Sequence, residues 1–366
     1  MIRKGILMER LNIYHRKDGR WEGRISRGKK DNGQRKFRYI FGKSKEQVRH
    51  KIKEILMTES SNNCSKTVQV LYNEWLCSAK HRVKESTLAN YRLKANNHIL
   101  PVFGSQKISS ITTNDIYVFI DNKQSSGLSN RYIIDILIVM KSVFKHAVRT
   151  YHIINPMDGI TMPKKGTSEI KLLESDEQHQ LERYISENRN NTTMGIALTM
   201  NTGIRIGELC ALQWSDIDLE KRILTVRKTM QRIQPPNGES KTKLIISNPK
   251  SESSKRSIPL TKKMVDYLTQ FKGESDEYIL SGKEKPVEPR TMQYRFSKIL
   301  KNVNLPSVHF HALRHMFAST CVKLGFDVKT LSELLGHSSV EITLNRYVHS
   351  SFEQKREYME RLKLDF

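Results

Sequence analysis

The sequence predicts a multidomain protein. A small β-sheet plus helix comes first, then an all-α helical domain, then a mixed, mainly-α domain with a small antiparallel sheet. Three observations predict this. The hydrophobic period changes along the chain: residues 20–42 alternate charged with aromatic or aliphatic positions, residues 67–159 keep helical spacing, and residues beyond 168 mix the two. Two segments of linker composition interrupt the pattern, the polar SSNNCSK (Ser60 to Lys66) and PMDGITMPKKGTS (Pro156 to Ser168). Charge is unequally shared, since residues 1–60 hold 18 Lys and Arg against 7 Asp and Glu, or +11 of the net +25. The expected domains are therefore 1–60, 67–160 and 168–366, and 366 residues with 37% hydrophobic content suffice to give them cores.

Each element follows from its residues. RWEGRISRG (Arg20 to Gly28) and QRKFRYIFG (Gln34 to Gly42) read as strands, and KKDNG with Asn32-Gly33 supplies a hairpin turn between them. KSKEQVRHKIKEIL is an amphipathic helix with Val48, Ile52 and Ile55 on one face. The middle domain opens on the helix VQVLYNEWLCSA. STLANYRLKANNHIL follows with Ser86 as its expected N-cap, then ITTNDIYVFIDNK with Thr113 as cap, then LSNRYIIDILIVMKSVFKHAVRTYHI. Short loops joining four helices predict a compact bundle. In the third domain ESDEQHQLERYISEN and TTMGIALTMNTG are helical, RILTVRKTM, KLIISNP and RSIPL alternate as strands, and LTKKMVDYLTQF and PRTMQYRFSKILKNV return to helix. NPKSESSKRSIPL (Asn248 to Leu260) reads as a hairpin tip with Lys250 at its root.

Composition narrows the function. With 63 Lys and Arg against 38 Asp and Glu and a pI near 9.8, a polyanionic partner is expected, nucleic acid ahead of a membrane surface. No apolar run approaches the roughly 18–20 residues of a spanning helix, and MIRKGILMER carries no signal-peptide pattern. Cys64, Cys77, Cys210 and Cys321 stand far apart without a CxxC pair, which fits neither zinc nor a disulfide framework and suggests a reducing cytoplasm. A basic β-ribbon fits the major groove, so Arg20, Arg24, Arg27, Arg35, Lys36 and Arg38 are expected to touch DNA, with Lys94 and Lys141 from the helical domain. Lys255 and Arg256, near Lys250, are expected to meet backbone phosphates.

The candidate chemistry lies in three short stretches. TGIRIGELCAL places Arg205 at a helix N-terminus, where backbone N–H groups also favour an anion, and Glu208 three residues on can brace its guanidinium. HALRH places His311 and Arg314 three apart on one helical face; Arg forks onto a phosphate and His passes protons near neutral pH. His315 is expected to face elsewhere, in a structural role. LLGHSSVEITLNRY sets His337 on a turn after a Gly-capped helix, with Tyr347 ten residues later. A phenol following a run of phosphate-binding groups is a candidate nucleophile, and an ammonium at Lys250 can serve as general acid to a leaving oxygen, an assignment for which Lys243, Lys255 and Arg256 compete.

TGIRIGEL, NPKSESSKRSIPL, HFHALRH, LLGH and LNRYVH together closely resemble the motifs of the tyrosine recombinases, in particular phage or conjugative-transposon integrases. The resemblance is detailed over 168–366 and looser before it. It implies the tyrosine recombinase fold, with an N-terminal arm-binding module and a helical core-binding domain. By position, the two catalytic arginines are Arg205 and Arg314, the hairpin lysine Lys250, the two histidines His311 and His337, and the nucleophile Tyr347. Glu208 supports them.

The resemblance further implies that Tyr347 forms a 3′-phosphotyrosine and frees a 5′-hydroxyl. Arg205, Arg314 and His337 would stabilise the transition state, Lys250 would protonate the leaving oxygen and His311 would help move the tyrosine proton. The covalent link conserves the bond energy, so no cofactor and no metal are expected. The implied partners are double-stranded DNA at core and arm attachment sites and three further copies of the chain, giving a homotetramer on DNA and a dimer or monomer off it. The resemblance also implies excisionase and DNA-bending accessory proteins as partners. The tail SSFEQKREYMERLKLDF, with Phe352, Tyr358, Met359 and Leu362 at helical spacing, would dock on a neighbour or fold back on its own domain. Two other readings compete, a type IB topoisomerase that relaxes supercoils as a monomer and a non-catalytic DNA-binding regulator. The arm-like module disfavours the first, and the ordered motif is unexplained by the second.

Overall fold

A computed structural model describes residues 12–29, 34–62, 64–166, 171–235, 242–248, 255–347, 356, 359 and 360. The chain forms two compact units, Met1–Thr167 and Ser168–Phe366.

The first unit begins with an antiparallel sheet in the order β1 (Ile13–His15), β2 (Trp21–Lys29), β3 (Arg35–Gly42). The last two are the expected strands; β1 is three residues long, too short for alternation to register. The expected turn at Asn32-Gly33 lies outside the described residues. Helix α1 (Lys45–Asn62) buries Val48 and Ile52 completely against Ile25 and Ile40, with Ile55 packed at the edge. That is the expected stripe, although the helix runs on into the polar segment read as linker. On the sheet's other side Arg24 sits over Tyr14 at 4.7 Å and Tyr39 at 5.2 Å. Glu22, 2% exposed, accepts from Arg24 Nε at 2.8 Å and Tyr14 Oη at 3.2 Å and pairs with Arg16.

Helices α2 (Val68–Lys80), α3 (Glu85–Lys94), α4 (Leu100–Phe103), α5 (Thr113–Ser125) and α6 (Asn130–Tyr151) share a core around Leu71, Ile116, Ile136 and Phe144. Both expected caps shift. Lys84, in extended backbone, precedes α3, and Ser86 is buried inside the first turn. Thr112 rather than Thr113 caps α5: its hydroxyl accepts from Asp115 N while the Asp115 carboxylate accepts from Thr112 N, a reciprocal capping box. Thr113 instead donates to Pro156 O at 3.1 Å. The expected second helix is interrupted by a π-helical turn, Ala95–Ile99, before α4. Pro101, with no N–H to give, accounts for the break in the α-helical ladder.

The second unit contains α7 (Ser175–Glu187), α8 (Asn191–Thr202), α9 (Ile206–Cys210), β4 (Ile217–Asp218), β5 (Ile223–Val226), β6 (Thr229–Ile233), β7 (Lys243–Ser247) and β8 (Arg256–Pro259). It continues with α10 (Lys262–Thr269), α11 (Pro289–Asn302), α12 (His311–Lys323), α13 (Val328–Leu335) and α14 (Val340–Tyr347). Leu198, Leu209, Leu224, Ile258, Met292, Phe296 and Leu313 belong to one core. The stretch read as one strand, RILTVRKTM, divides into β5 and β6, which enter separate antiparallel sheets, β4-β5-β8 and β6-β7. The strands that flank the expected hairpin tip do not pair with each other, since β7 ladders with β6 and β8 with β5; the tip itself, residues 249–254 with Lys250, lies outside the described residues. Among the described residues no helix is long and apolar enough to cross a membrane.

Candidate active site

Four chain segments in the second unit converge on the C-terminal end of α13. Gly336 ends that helix at φ +63°, a left-handed turn that glycine adopts without strain, and its N–H bonds back to Glu333 O at 3.0 Å. The last carbonyls of a helix lack intrahelical donors and carry partial negative charge. Three arginines supply the donors: Arg256 Nε reaches Leu334 O at 2.6 Å, Arg314 Nη2 reaches Leu335 O at 2.7 Å and Arg205 Nη2 reaches Gly336 O at 2.9 Å. The helix end thus gathers three guanidinium groups that would otherwise repel one another.

Arg205 precedes α9 as its N-cap, in extended backbone, and is the more exposed of the cluster at 35% of its side chain. Its Nη1 donates to Glu208 Oε1 at 2.8 Å and its backbone N–H to Glu208 Oε2 at 2.9 Å, the bracing expected from the spacing. Glu208 is 3% exposed. Burial pushes its carboxyl up, but Arg256 and then Arg205 more than offset this and hold it below the ordinary glutamate value. Arg314, 1% exposed on α12, also donates to Gly203 O at 2.7 Å. Burial, and next the charge of Arg205, pull its guanidinium down to about 9, with Glu208 acting against them, so it stays charged at neutral pH.

Two expectations are corrected at this cluster. Arg256 was expected at the surface on a DNA phosphate. Its side chain is 6% exposed and grips Glu208 with Nη1 at 3.2 Å and Nη2 at 2.9 Å. A side chain with those bonds is an internal brace. His315 was expected to face away from the chemistry. Instead its Nδ1 lies 2.7 Å from the Tyr347 hydroxyl. The reason is the helical period: His311, Arg314 and His315 stand at i, i+3 and i+4 of α12, so all three share a face.

His311 is exposed at the first residue of α12, its ring perpendicular to that of His315 at 4.8 Å between centroids. His337 follows Gly336, and its Nδ1 lies 2.8 Å from Oγ1 of the fully buried Thr343. The Tyr347 ring is parallel to that of His337 at 6.4 Å between centroids and packs beside Ala318, Leu331 and Leu335. Five of the six expected catalytic positions are therefore in one neighbourhood, and Lys250 lies outside the described residues.

The expected DNA contacts divide. Arg20, Arg24, Arg35, Lys36 and Arg38 are exposed on the N-terminal sheet, and the side chain of Arg27 lies outside what is described. Lys141 on α6 and Lys255 are exposed, whereas Lys94 is half-buried and pairs with Asp135 at 3.6 Å.

Against known proteins, residues 171–354 match the model of the phage integrase family, and residues 67–124 match the phage integrase N-terminal SAM-like domain. The chain belongs to the phage integrase family. It is a site-specific recombinase, an enzyme that cuts and rejoins DNA strands. Among its relatives, a XerC-like tyrosine recombinase of Caldanaerobacter subterraneus subsp. tengcongensis is 27% identical, over 92% of this chain and 94% of that protein. The ICEBs1 integrase of Bacillus subtilis is 24% identical over 80% and 81%. The Tn1549 transposon integrase, solved with a circular intermediate DNA, superposes with a TM-score of 0.70 at 25% identity, covering 82% of this chain and 100% of that one. A lambda integrase dimer bound to a core site shares the fold, with a TM-score of 0.59 at 20% identity over 92% and 94%.

Proposed function

We propose that this integrase-family member integrates or excises a mobile element through attack of the Tyr347 oxygen on phosphorus. The attack forms a 3′-phosphotyrosine and releases a 5′-hydroxyl. The observation that carries the reading is the Tyr347 hydroxyl held on His315 Nδ1 at 2.7 Å, beside guanidinium groups already fixed in direction. In this reading Arg205 and Arg314 bind the non-bridging oxygens and stabilise the pentacovalent transition state. His337, steadied by Thr343, adds a hydrogen bond. His315 accepts the tyrosine proton, and His311 serves the relay from the exposed side of the same helix face. Lys250 protonates the 5′-oxygen. Electrostatic stabilisation of this kind requires groups oriented before the reaction, and the bonds of Arg205 and Arg314 to the end of α13 support the reading.

The domains take corresponding tasks. Residues 1–60 bind arm-type DNA through the arginine and aromatic face of the sheet, residues 67–160 bind the core site and residues 168–366 cleave. Exchange between two duplexes involves four strands, which favours a homotetramer assembled on DNA from monomers or dimers. Excisionase and DNA-bending proteins would bias direction, and the setting is the cytoplasm. The experiment is incubation of the full chain with a nicked duplex spanning the element's junction, followed by denaturing electrophoresis. An SDS-stable adduct is expected, lost in Tyr347→Phe while duplex binding persists. An adduct that survives the substitution overturns the assignment, and relaxation without strand exchange reassigns the chain as a topoisomerase.

A further inference from the structure

The catalytic reading leaves Arg256 without a task, yet few side chains in the site are so completely engaged. Its two terminal nitrogens fork onto both Glu208 oxygens and its Nε holds Leu334 O. Glu208 in turn holds Arg205 by the side chain and by the backbone. Leu334 O begins the run of three carbonyls taken by Arg256, Arg314 and Arg205, and His337 follows that run directly. Arg256 is thus tied at one end to Arg205 and at the other to the turn that carries His337.

The carboxylate is the decisive element. Arg and a carboxylate prefer a bidentate, parallel pair. With Arg256 occupying that geometry on Glu208, Arg205 donates a single side-chain bond to the same carboxylate. The Arg205 fork is then kept from pairing flat with Glu208: Nη1 holds the carboxylate, Nη2 holds Gly336 O, and 35% of the side chain stays exposed.

We propose that Arg256 is a positioning residue for strand cleavage: by holding both Glu208 oxygens and the Leu334 carbonyl, it sets the direction of Arg205 and the place of His337 without touching DNA. The inference rests on the assignment of Arg205 to the scissile phosphate. It predicts a defect in chemistry that is absent from binding, and one that depends on the charge of the phosphate.

The test uses the full chain and the same nicked junction duplex. Wild type is run first, because a wild-type chain that forms no adduct defeats the recombinase reading and not this one. Arg256→Gln is expected to bind the duplex as wild type does and to cleave it ~10²-fold more slowly in single turnover. A second duplex carries a methylphosphonate at the scissile position, which removes the negative charge that Arg205 meets. On it the difference is expected to fall below ~10-fold. Because a buried carboxylate robbed of a partner threatens folding, the pair Arg256→Gln with Glu208→Gln is measured beside Glu208→Gln alone. Two residues acting through one route give a pair no slower than the single variant. The proposal is overturned if binding weakens in step with cleavage, if a folded Arg256 variant cleaves like wild type, if the methylphosphonate leaves the defect undiminished, or if the paired defects multiply.

Discussion

At the scale of single residues, the proposed site turns on which histidine meets Tyr347. His311 and His315 lie on one face of α12, but only a chain folded to bring α14 across that face could select His315 as the partner of Tyr347. His315→Ala is expected to slow cleavage ~10²-fold, the usual size of a positioned proton acceptor. The loss should exceed that of His311→Ala, whose side chain is exposed at the helix start. Rapid-quench assays of adduct formation under saturating enzyme decide it; equal losses would return the proton to His311. The candidate residues stand out in the chain because each is of a type suited to a phosphate or a proton. Arg256, beside a lysine in a polar stretch, reads as a surface cation, and burial is not written in local composition.

At the scale of elements, helix ends do most of the placing. Gly203 closes α8 at φ +63° and offers its carbonyl to Arg314. A Cβ there would stand 2.4 Å from Phe317 Cδ1 and 2.9 Å from Leu335 Cδ2. Gly203→Ala combines left-handed strain with a clash and should cost about 1–3 kcal/mol of stability, read as a lowered melting temperature of the full chain. Cleavage should also fall, since Phe317 follows Arg314 on α12 and Leu335 carries the carbonyl that Arg314 holds; unchanged cleavage would show that the cap and the guanidinium are independent. Long amphipathic helices such as α6, with nine buried apolar side chains, were plain from their period. Caps displaced by one or two residues, the three-residue β1 and the π-helical turn before Pro101 depend on geometry finer than a periodic pattern carries.

For the whole molecule, the net charge of +25 sets how it meets DNA. Binding should weaken steeply with salt through counterion release, the slope reporting the phosphates neutralised. On a duplex carrying arm and core sequences, neutralising Arg35, Lys36 and Arg38 together should make the slope of log K against log salt shallower by about 3. Adduct formation on a duplex with the core alone should stay as in wild type. An unchanged slope would remove the exposed edge of β3 from the interface.

Most of the helices, and the presence of side chains of the types that phosphoryl chemistry uses, were legible in the letters alone. Those properties are local: hydrophobic period, charge and side-chain type survive in a string of letters. Tertiary structure alone decided that Arg205, Arg256 and Arg314, as many as 109 positions apart, share three consecutive carbonyls at the end of one helix. It also decided that one buried carboxylate serves two of them and that His315 receives the phenol. Those contacts depend on where separate segments cross, and a crossing is set by how the whole core packs.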